Sequence, residues 1–436
     1  MKKVLIITYY WPPSGGAGVQ RWVRFVKHLR SFGWEPVIYA PESPSYALED
    51  ISLVNEIPCD VKVYKRKIRE VNNLFAKLSP KRVRKDNKLY NLQQQKGSNR
   101  SFFQKLVWFI RGNFFIPDAR FLWIKPSIRF LNPILEKEGF DAVVSTGPPH
   151  SLHLIAENLK KKHDIHWIAD FRDPWTSMDY MDDMFLTEFA KKKHARLEKK
   201  VIMNADEVVV VGKTMFNEFK GNYNVESKII YNGYEKKADD ASTPIELDEK
   251  FTIVHIGSFL KNRNCNDLWE QLATLCKDNV LFKERLEIRL IGNVAPNVLE
   301  SIVNFGLNNN LNKIDYIPFE ETQKYLFGAQ VLLLPIDRIE NAAFVLTGKL
   351  FEYLKSKRPV LLLAPSYGDA ADIIEQCNAG YCCDFDDGKA IKDSLLTMFN
   401  LYLEKKNNVN SVNIERFSGY ELTRKMAEVL QGNKKD

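Results

Sequence analysis

The chain has 436 residues, 45% of them hydrophobic and 27% charged, with a formal net charge of +8. That length exceeds one ordinary core and predicts two domains. No apolar stretch approaches the roughly 18 uncharged residues of a membrane-spanning helix, and six cysteines without a C-x-x-C pair exclude a disulfide framework or a cysteine-based zinc site. The histidines lack H-E-x-x-H spacing, so no metal is expected from them.

Lys2 and Lys3 precede the apolar run VLIITYY (4–10), which faintly imitates a signal peptide. Trp11, Pro12 and Pro13 stand where a small-residue cleavage site would be, so the run reads as a buried first strand of a cytoplasmic protein. The stretch PPSGGAGVQR follows. Gly15, Gly16 and Gly18 would leave bare N–H groups at a helix start, which favours an anion. A ligand-free tight turn is the alternative. The dinucleotide pattern G-x-G-x-x-G fails at Arg21, although Glu42 after the second run could serve as a ribose acid, so an NAD-dependent oxidoreductase stays open.

Residues 61–130 hold 18 Lys and Arg against Glu70, Asp86 and Asp118, a local net +15, so the rest of the chain is net acidic. Residues 62–131 read as basic helices with interleaved aromatics, an insert in the first domain. Two readings stand: an anionic membrane surface as partner, or a helical hairpin whose aromatics join the core. Nucleic acid is not expected, because no recognised binding signature accompanies the charge.

Short β-branched runs continue at 36–40, 141–146, 166–170 and 207–211, then at 251–257, 286–292, 331–336 and 359–364. Runs without alternation are strands buried on both faces, hence two doubly wound parallel-sheet α/β domains. The expected boundaries are 1–235, a polar linker at 236–250, 251–410, and a C-terminal helix within 411–436 that docks on either domain.

Two clusters follow strands of the first half. STGPPHS puts His150 at a helix start, a candidate proton carrier or hydroxyl donor, while His153 reads as packing. DFRDPW brings Asp170, Arg172 and Asp173 together, either as a salt-bridged loop or as carboxylates aimed at a hydroxyl-bearing substrate. In the second half, Gly257 and Ser258 form a turn with Lys261 and Arg263 just beyond, suited to a diphosphate. Thr347 is expected to N-cap a helix whose Gly348 and Lys349 amides form a second anion site. Glu352 is placed to accept from ribose hydroxyls, and an ordinary capped helix is the alternative. Asp384-Phe385-Asp386 fits a D-x-D string but lies behind that site, so no metal dependence is expected.

Together, PPSGGAGVQR, STGPPHS with DFRDPW, GSFLKNR and TGKLFEYLKSKRPVL resemble the retaining GT-B glycosyltransferases of family 4, across nearly the whole chain outside 62–131. The resemblance implies two Rossmann-like domains facing across a cleft, with a nucleotide sugar held mainly by the C-terminal one and an acceptor by the N-terminal one. It implies that Arg263 and Lys349 stabilise the leaving diphosphate beside Gly348, that Glu352 holds the ribose, and that Ile317 and Pro318 in YIPFEE meet the base. Asp173 and His150 become positioning groups first and acid/base candidates second, with Asp170 and Arg172 toward the acceptor. The first Glu of the family's E-x7-E motif is replaced by Phe344; Asp337 and Glu340 are the nearest substitutes. The implied activity is retaining sugar transfer to a hydroxyl without a metal, in cell-surface polysaccharide or glycolipid assembly, peripheral on the inner membrane face. A nucleotide-sugar epimerase and a non-catalytic membrane adaptor remain as rivals.

Overall fold

The structure, a computed structural model, describes residues 1–42, 44, 49–69, 102–178, 181, 184–236 and 246–432. The chain divides into two compact units: Met1–Tyr231 with Gly419–Asp436, and Asn232–Ser418. Residues 70–101 of the expected insert and 237–245 of the expected linker lie outside the described residues.

The first unit runs β1 (Lys2–Ile7), α1 (Ala17–His28), β2 (Trp34–Glu42), β3 (Lys62–Lys67), α2 (Phe102–Phe114), α3 (Ile124–Glu138), β4 (Ala142–Gly147), α4 (Ser151–His163), β5 (His166–Phe171), α5 (Glu188–Asn204), β6 (Glu207–Val210), α6 (Lys213–Tyr223) and β7 (Lys228–Ile229). Its seven strands pair in the order β3-β2-β1-β4-β5-β6-β7, and β1 lies parallel to both β2 and β4. The apolar runs form these strands because both faces are covered: Val4, Leu5, Ile6 and Ile7 are all fully buried. Helix α1 shows why a sheet-covering helix forms here. Val19, Trp22, Val23 and Val26 recur at helical spacing and bury one stripe.

The segment from 62 differs from its helical expectation. Lys62–Lys67 is a strand paired with β2 from Val37↔Lys62 to Glu42↔Lys67. Lys62, Lys65 and Lys67 lie exposed on it, so this part of the charge guards a sheet edge. Further on, the apolar side chains divide between the core and the surface. Trp123 is buried and donates its Nε1–H to Tyr39 Oη (3.1 Å), which donates to Ser127 Oγ (2.8 Å). Phe114, Leu106 and Leu122 are exposed.

The second unit runs β8 (Phe251–Ile256), α7 (Asn266–Asp278), α8 (Val280–Arg285), β9 (Leu286–Ile291), α9 (Pro296–Asn304), β10 (Leu311–Ile314), α10 (Phe319–Gly328), β11 (Val331–Pro335), α11 (Gly348–Ser356), β12 (Val360–Leu363), α12 (Asp369–Gln376), β13 (Gly380–Cys383) and α13 (Gly388–Leu403). Its strand order is β10-β9-β8-β11-β12-β13. The last helix, α14 (Gly419–Gln431), belongs to the first unit. Its Leu422, Met426 and Leu430 join the cluster built by Val4, Ile6, Trp22 and Val26.

Candidate active site

In the second unit β8 has β9 on one side and β11 on the other. Strand order reverses there, and ligands of open α/β sheets bind at the carboxyl ends flanking such a point. Gly257 ends β8 at φ 103°, and a Cβ on it would stand 2.8 Å from Lys349 Cε. Only glycine lets that lysine lie across the strand end. Lys349 Nζ lies 3.2 Å from His255 Nε2 and donates to the Ser258 carbonyl (3.2 Å). His255 is fully buried, and its ring lies between two carbonyls, with Nδ1 3.0 Å from Leu333 O of β11 and Nε2 3.3 Å from Ser258 O. Burial first, then the Lys349 charge, hold the His255 pKa well below its ordinary value.

Arg263 completes the cluster. Its Nε and Nη2 form a fork on Asp337 (3.0 and 2.8 Å), and Nη1 donates to the Ser258 carbonyl (3.0 Å). Asp337 follows β11, so this ion pair bridges the two sides of the switch point, and Arg338 N–H to Asn262 O (2.9 Å) ties the same two loops. The Arg263 charge is largely balanced by Asp337. Lys349 and the start of α11 therefore supply the net attraction for an anion.

Burial first, and the Arg263 charge second, push Lys349 down to about 7, with Asp337 partly offsetting them. The Lys349 ammonium is therefore present below about pH 7 and is lost above it. We expect the affinity for an anionic ligand such as a nucleoside diphosphate to fall by up to about tenfold per pH unit above that point, and Lys349→Met to flatten this limb of the profile.

Other expected site residues fall as follows. Gly348 and Lys349 open α11; Thr347 occupies its N-cap position but makes no capping bond, and its hydroxyl is buried without a partner among the described residues. Glu352 is half-buried one turn after Lys349. Ile317 and Pro318 follow β10 at the same carboxyl edge. Glu340 is exposed, and Asp337 is engaged by Arg263. Asp386 pairs with Arg338.

Gly15, Gly16 and Gly18 belong to the first unit, not to the one that holds this cluster. Their neighbour is Arg172: a Cβ on Gly18 would fall 1.5 Å from its Nη1. Arg172 N–H donates to the Gly147 carbonyl (2.9 Å), and Nη2 donates to the Pro148 carbonyl. Burial lowers the Arg172 pKa and raises that of Asp173, the latter partly offset by Arg172. Gly18→Ala must displace the guanidinium, and we expect about 1–3 kcal/mol of destabilisation by urea unfolding. An unchanged midpoint would show that Arg172 moves aside freely.

His150 is buried and stacks on Trp175 with ring centroids 4.6 Å apart. Neither of its ring nitrogens has a partner among the described residues, and burial holds its pKa well below the ordinary value. His153 does pack, accepting at Nδ1 from Ser145 Oγ (2.8 Å) while burial drives its pKa to about 3.

Asp170 departs from its assignment toward an acceptor. It is fully buried, and it accepts from Arg21 Nη2 (2.9 Å), Trp22 Nε1 (2.9 Å) and Thr146 Oγ1 (2.8 Å). No acceptor contact is left for it, because its oxygens serve the interior. Arg21, which breaks the dinucleotide fingerprint, is the counter-ion.

Sequence reasoning did not find Asp118, Arg120 or His255. Asp118 caps α4 by accepting from Ser151 N–H (2.8 Å), and Arg120 lies over the Tyr9 ring (4.7 Å). A lone His inside an apolar strand run carries no local signal of its role.

No protein-family profile and no curated sequence matches the chain. Solved structures do match over nearly its whole length. S. aureus TarM, solved as a point mutant in complex with fondaparinux, alpha-GlcNAc-glycerol and UDP, aligns at TM-score 0.61 and 12% identity over 99% of this chain and 100% of that one. Sucrose-phosphate synthase from Thermosynechococcus elongatus aligns at 0.55 and 12%, over 99% and 98%. The fold is GT-B. The UDP-GlcNAc 2-epimerase from Methanocaldococcus jannaschii also aligns, at 0.53 and 12% over 99% of each chain. A GT-B fold thus accommodates more than one chemistry, and the site has to carry the functional argument.

Proposed function

We propose that this protein is a glycosyltransferase that moves a sugar from a nucleoside diphosphate to an acceptor hydroxyl with retention, in the manner of family 4. The observation that carries the reading is the Arg263–Asp337–Lys349–His255 cluster at the β8/β11 switch point. Departure of the nucleotide places new charge on the β-phosphate. The Lys349 ammonium and the start of α11, braced by the Arg263–Asp337 pair, stabilise that charge without reorganising, and they make a divalent metal dispensable. Glu352 holds the ribose, and Ile317 and Pro318 flank the base.

Acceptor binding falls to the first unit. Arg172 holds the acceptor, with Asp173 and His150 orienting its hydroxyl. Asp173 is raised by burial and His150 lowered, so each is drawn toward its neutral form, suited to hydrogen bonding a hydroxyl. The leaving phosphate takes the acceptor proton. The pathway is surface polysaccharide or glycolipid assembly, on the cytoplasmic face of the membrane.

Thermal unfolding against a panel of nucleotide sugars tests the donor assignment. We expect one of them to raise the melting temperature, by about 2.7 kcal/mol of linkage at a hundredfold excess over Kd. NMR of the product then reads its anomeric configuration. Stabilisation by a nicotinamide dinucleotide alone, or conversion of the donor sugar without any acceptor, would favour an oxidoreductase or an epimerase instead.

A further inference from the structure

All the exposed phenylalanines among the described residues lie in one neighbourhood: Phe114 (67% exposed), Phe185 (49%) and Phe189 (73%). Phe114 ends α2, and Phe185 and Phe189 flank the start of α5. Asn113 joins them, donating from Nδ2 to the Phe185 carbonyl (3.2 Å) and accepting at Oδ1 from Thr187 N–H (2.7 Å). Leu106 is exposed two turns before Phe114 on α2, at the i, i+4, i+8 spacing of one stripe. Phe185 holds φ at 49°, a conformation uncommon for a bulky residue, so backbone strain accompanies the outward ring.

Charge lies alongside. On α5, Phe189, Lys192, Lys193, Arg196 and Lys199 follow helical spacing and are all exposed, while the opposite stripe buries Ala190, His194 and Val201. Beside Phe185, a cavity of about 420 Å³ is walled by Met181, Phe185 and Leu186, with Lys191 and His194 among its lining. Exposed rings backed by a cationic helix match a surface whose interior is apolar and whose face is anionic.

We propose that the end of α2 and the first turns of α5 dock on an anionic phospholipid bilayer, the three rings entering the interface and the α5 cations meeting the headgroups. This goes beyond the transfer reading and places the contact partly outside residues 62–131. Glu188, exposed and paired with Lys191, moderates the local charge, so rings and cations must each contribute. Sedimentation of the full chain with phosphatidylcholine vesicles, with and without phosphatidylglycerol, tests it. Wild type is expected to pellet only with the anionic vesicles. Phe114→Ser/Phe185→Ser/Phe189→Ser, and separately Lys192→Glu/Lys193→Glu/Arg196→Glu, should each weaken that binding by about tenfold or more while melting like wild type.

Three outcomes overturn the proposal: no preference of wild type for anionic vesicles, variants that bind as well as wild type, or a wild-type dimer that only the Phe variant dissolves. Nucleotide-sugar stabilisation, measured on the same proteins, reports separately on the transfer reading.

Discussion

Arg263→Ala is expected to lower kcat/KM for sugar transfer, or for donor hydrolysis, by about 10²–10³. Two effects act in the same direction. The substitution releases the Ser258 turn that Arg263 ties to the β11 side, and it leaves the Asp337 carboxylate unpaired beside the position a phosphate would occupy. Arg263→Lys separates them, since it keeps a charge near Asp337 but cannot reproduce the bidentate geometry. It should recover part of the loss. Arg263→Ala/Asp337→Asn removes the exposed carboxylate and should also recover part, by a different route. Because the pair is only partly buried, global stability should change little, and a melting curve close to wild type keeps the kinetic result interpretable. Kinetics unchanged in Arg263→Ala would remove this residue from its role and, with it, the central support for the donor site.

The second large effect is on stability. Arg21 and Asp170 are paired with side chains 1% and 0% exposed, and Arg21 Nη1 also donates to the Ile230 (2.9 Å) and Tyr231 (2.7 Å) carbonyls. Burial alone would raise the Asp170 pKa; the Arg21 charge and hydrogen bonds outweigh it, so the carboxyl sits below its ordinary value. Arg21→Met should cost about 3–5 kcal/mol in urea unfolding, chiefly because it strands a buried charge. Arg21→Met/Asp170→Asn should cost less than the sum of the single changes, and strict additivity would show that the two do not act as a pair. The Asp170 contribution is present above the unfolded carboxylate pKa and is lost as pH falls through the lower folded value. The loss from Arg21→Met should therefore shrink in strong acid.

The same pair shows what could be read from the chain and what could not. The long apolar strands were legible because burial on both faces leaves uninterrupted β-branched runs, as at Val4–Ile7 and 331–336. Strands β10 and β13 have four residues each and stay half-exposed over most of their length, so Leu311–Ile314 and Gly380–Cys383 left no such run. The lysines of β3 were read as helix charge because an edge strand of mixed Lys, Val and Tyr imitates one face of a basic helix. Asp170 and Arg21 are 149 positions apart. Nothing local distinguishes a carboxylate that meets substrate from one that meets a distant guanidinium. Turn glycines and a helix start mark Arg263 and Lys349 in the sequence, yet the Asp337 fork and His255 emerge only once β8 and β11 lie side by side.

The position of α14 has a consequence for biogenesis. Leu422, Met426 and Leu430 complete an apolar cluster whose other members, from Val4 to Val209 and Ile230, are synthesised before any of Asn232–Ser418. The lobe that leaves the ribosome first therefore waits, with part of its apolar surface unpaired, for the whole of the second lobe to be translated. Stop codons or degradation that remove only 419–431 would injure the early lobe rather than the late one, and chaperone capture during translation should centre on the face of α1 that α14 eventually covers.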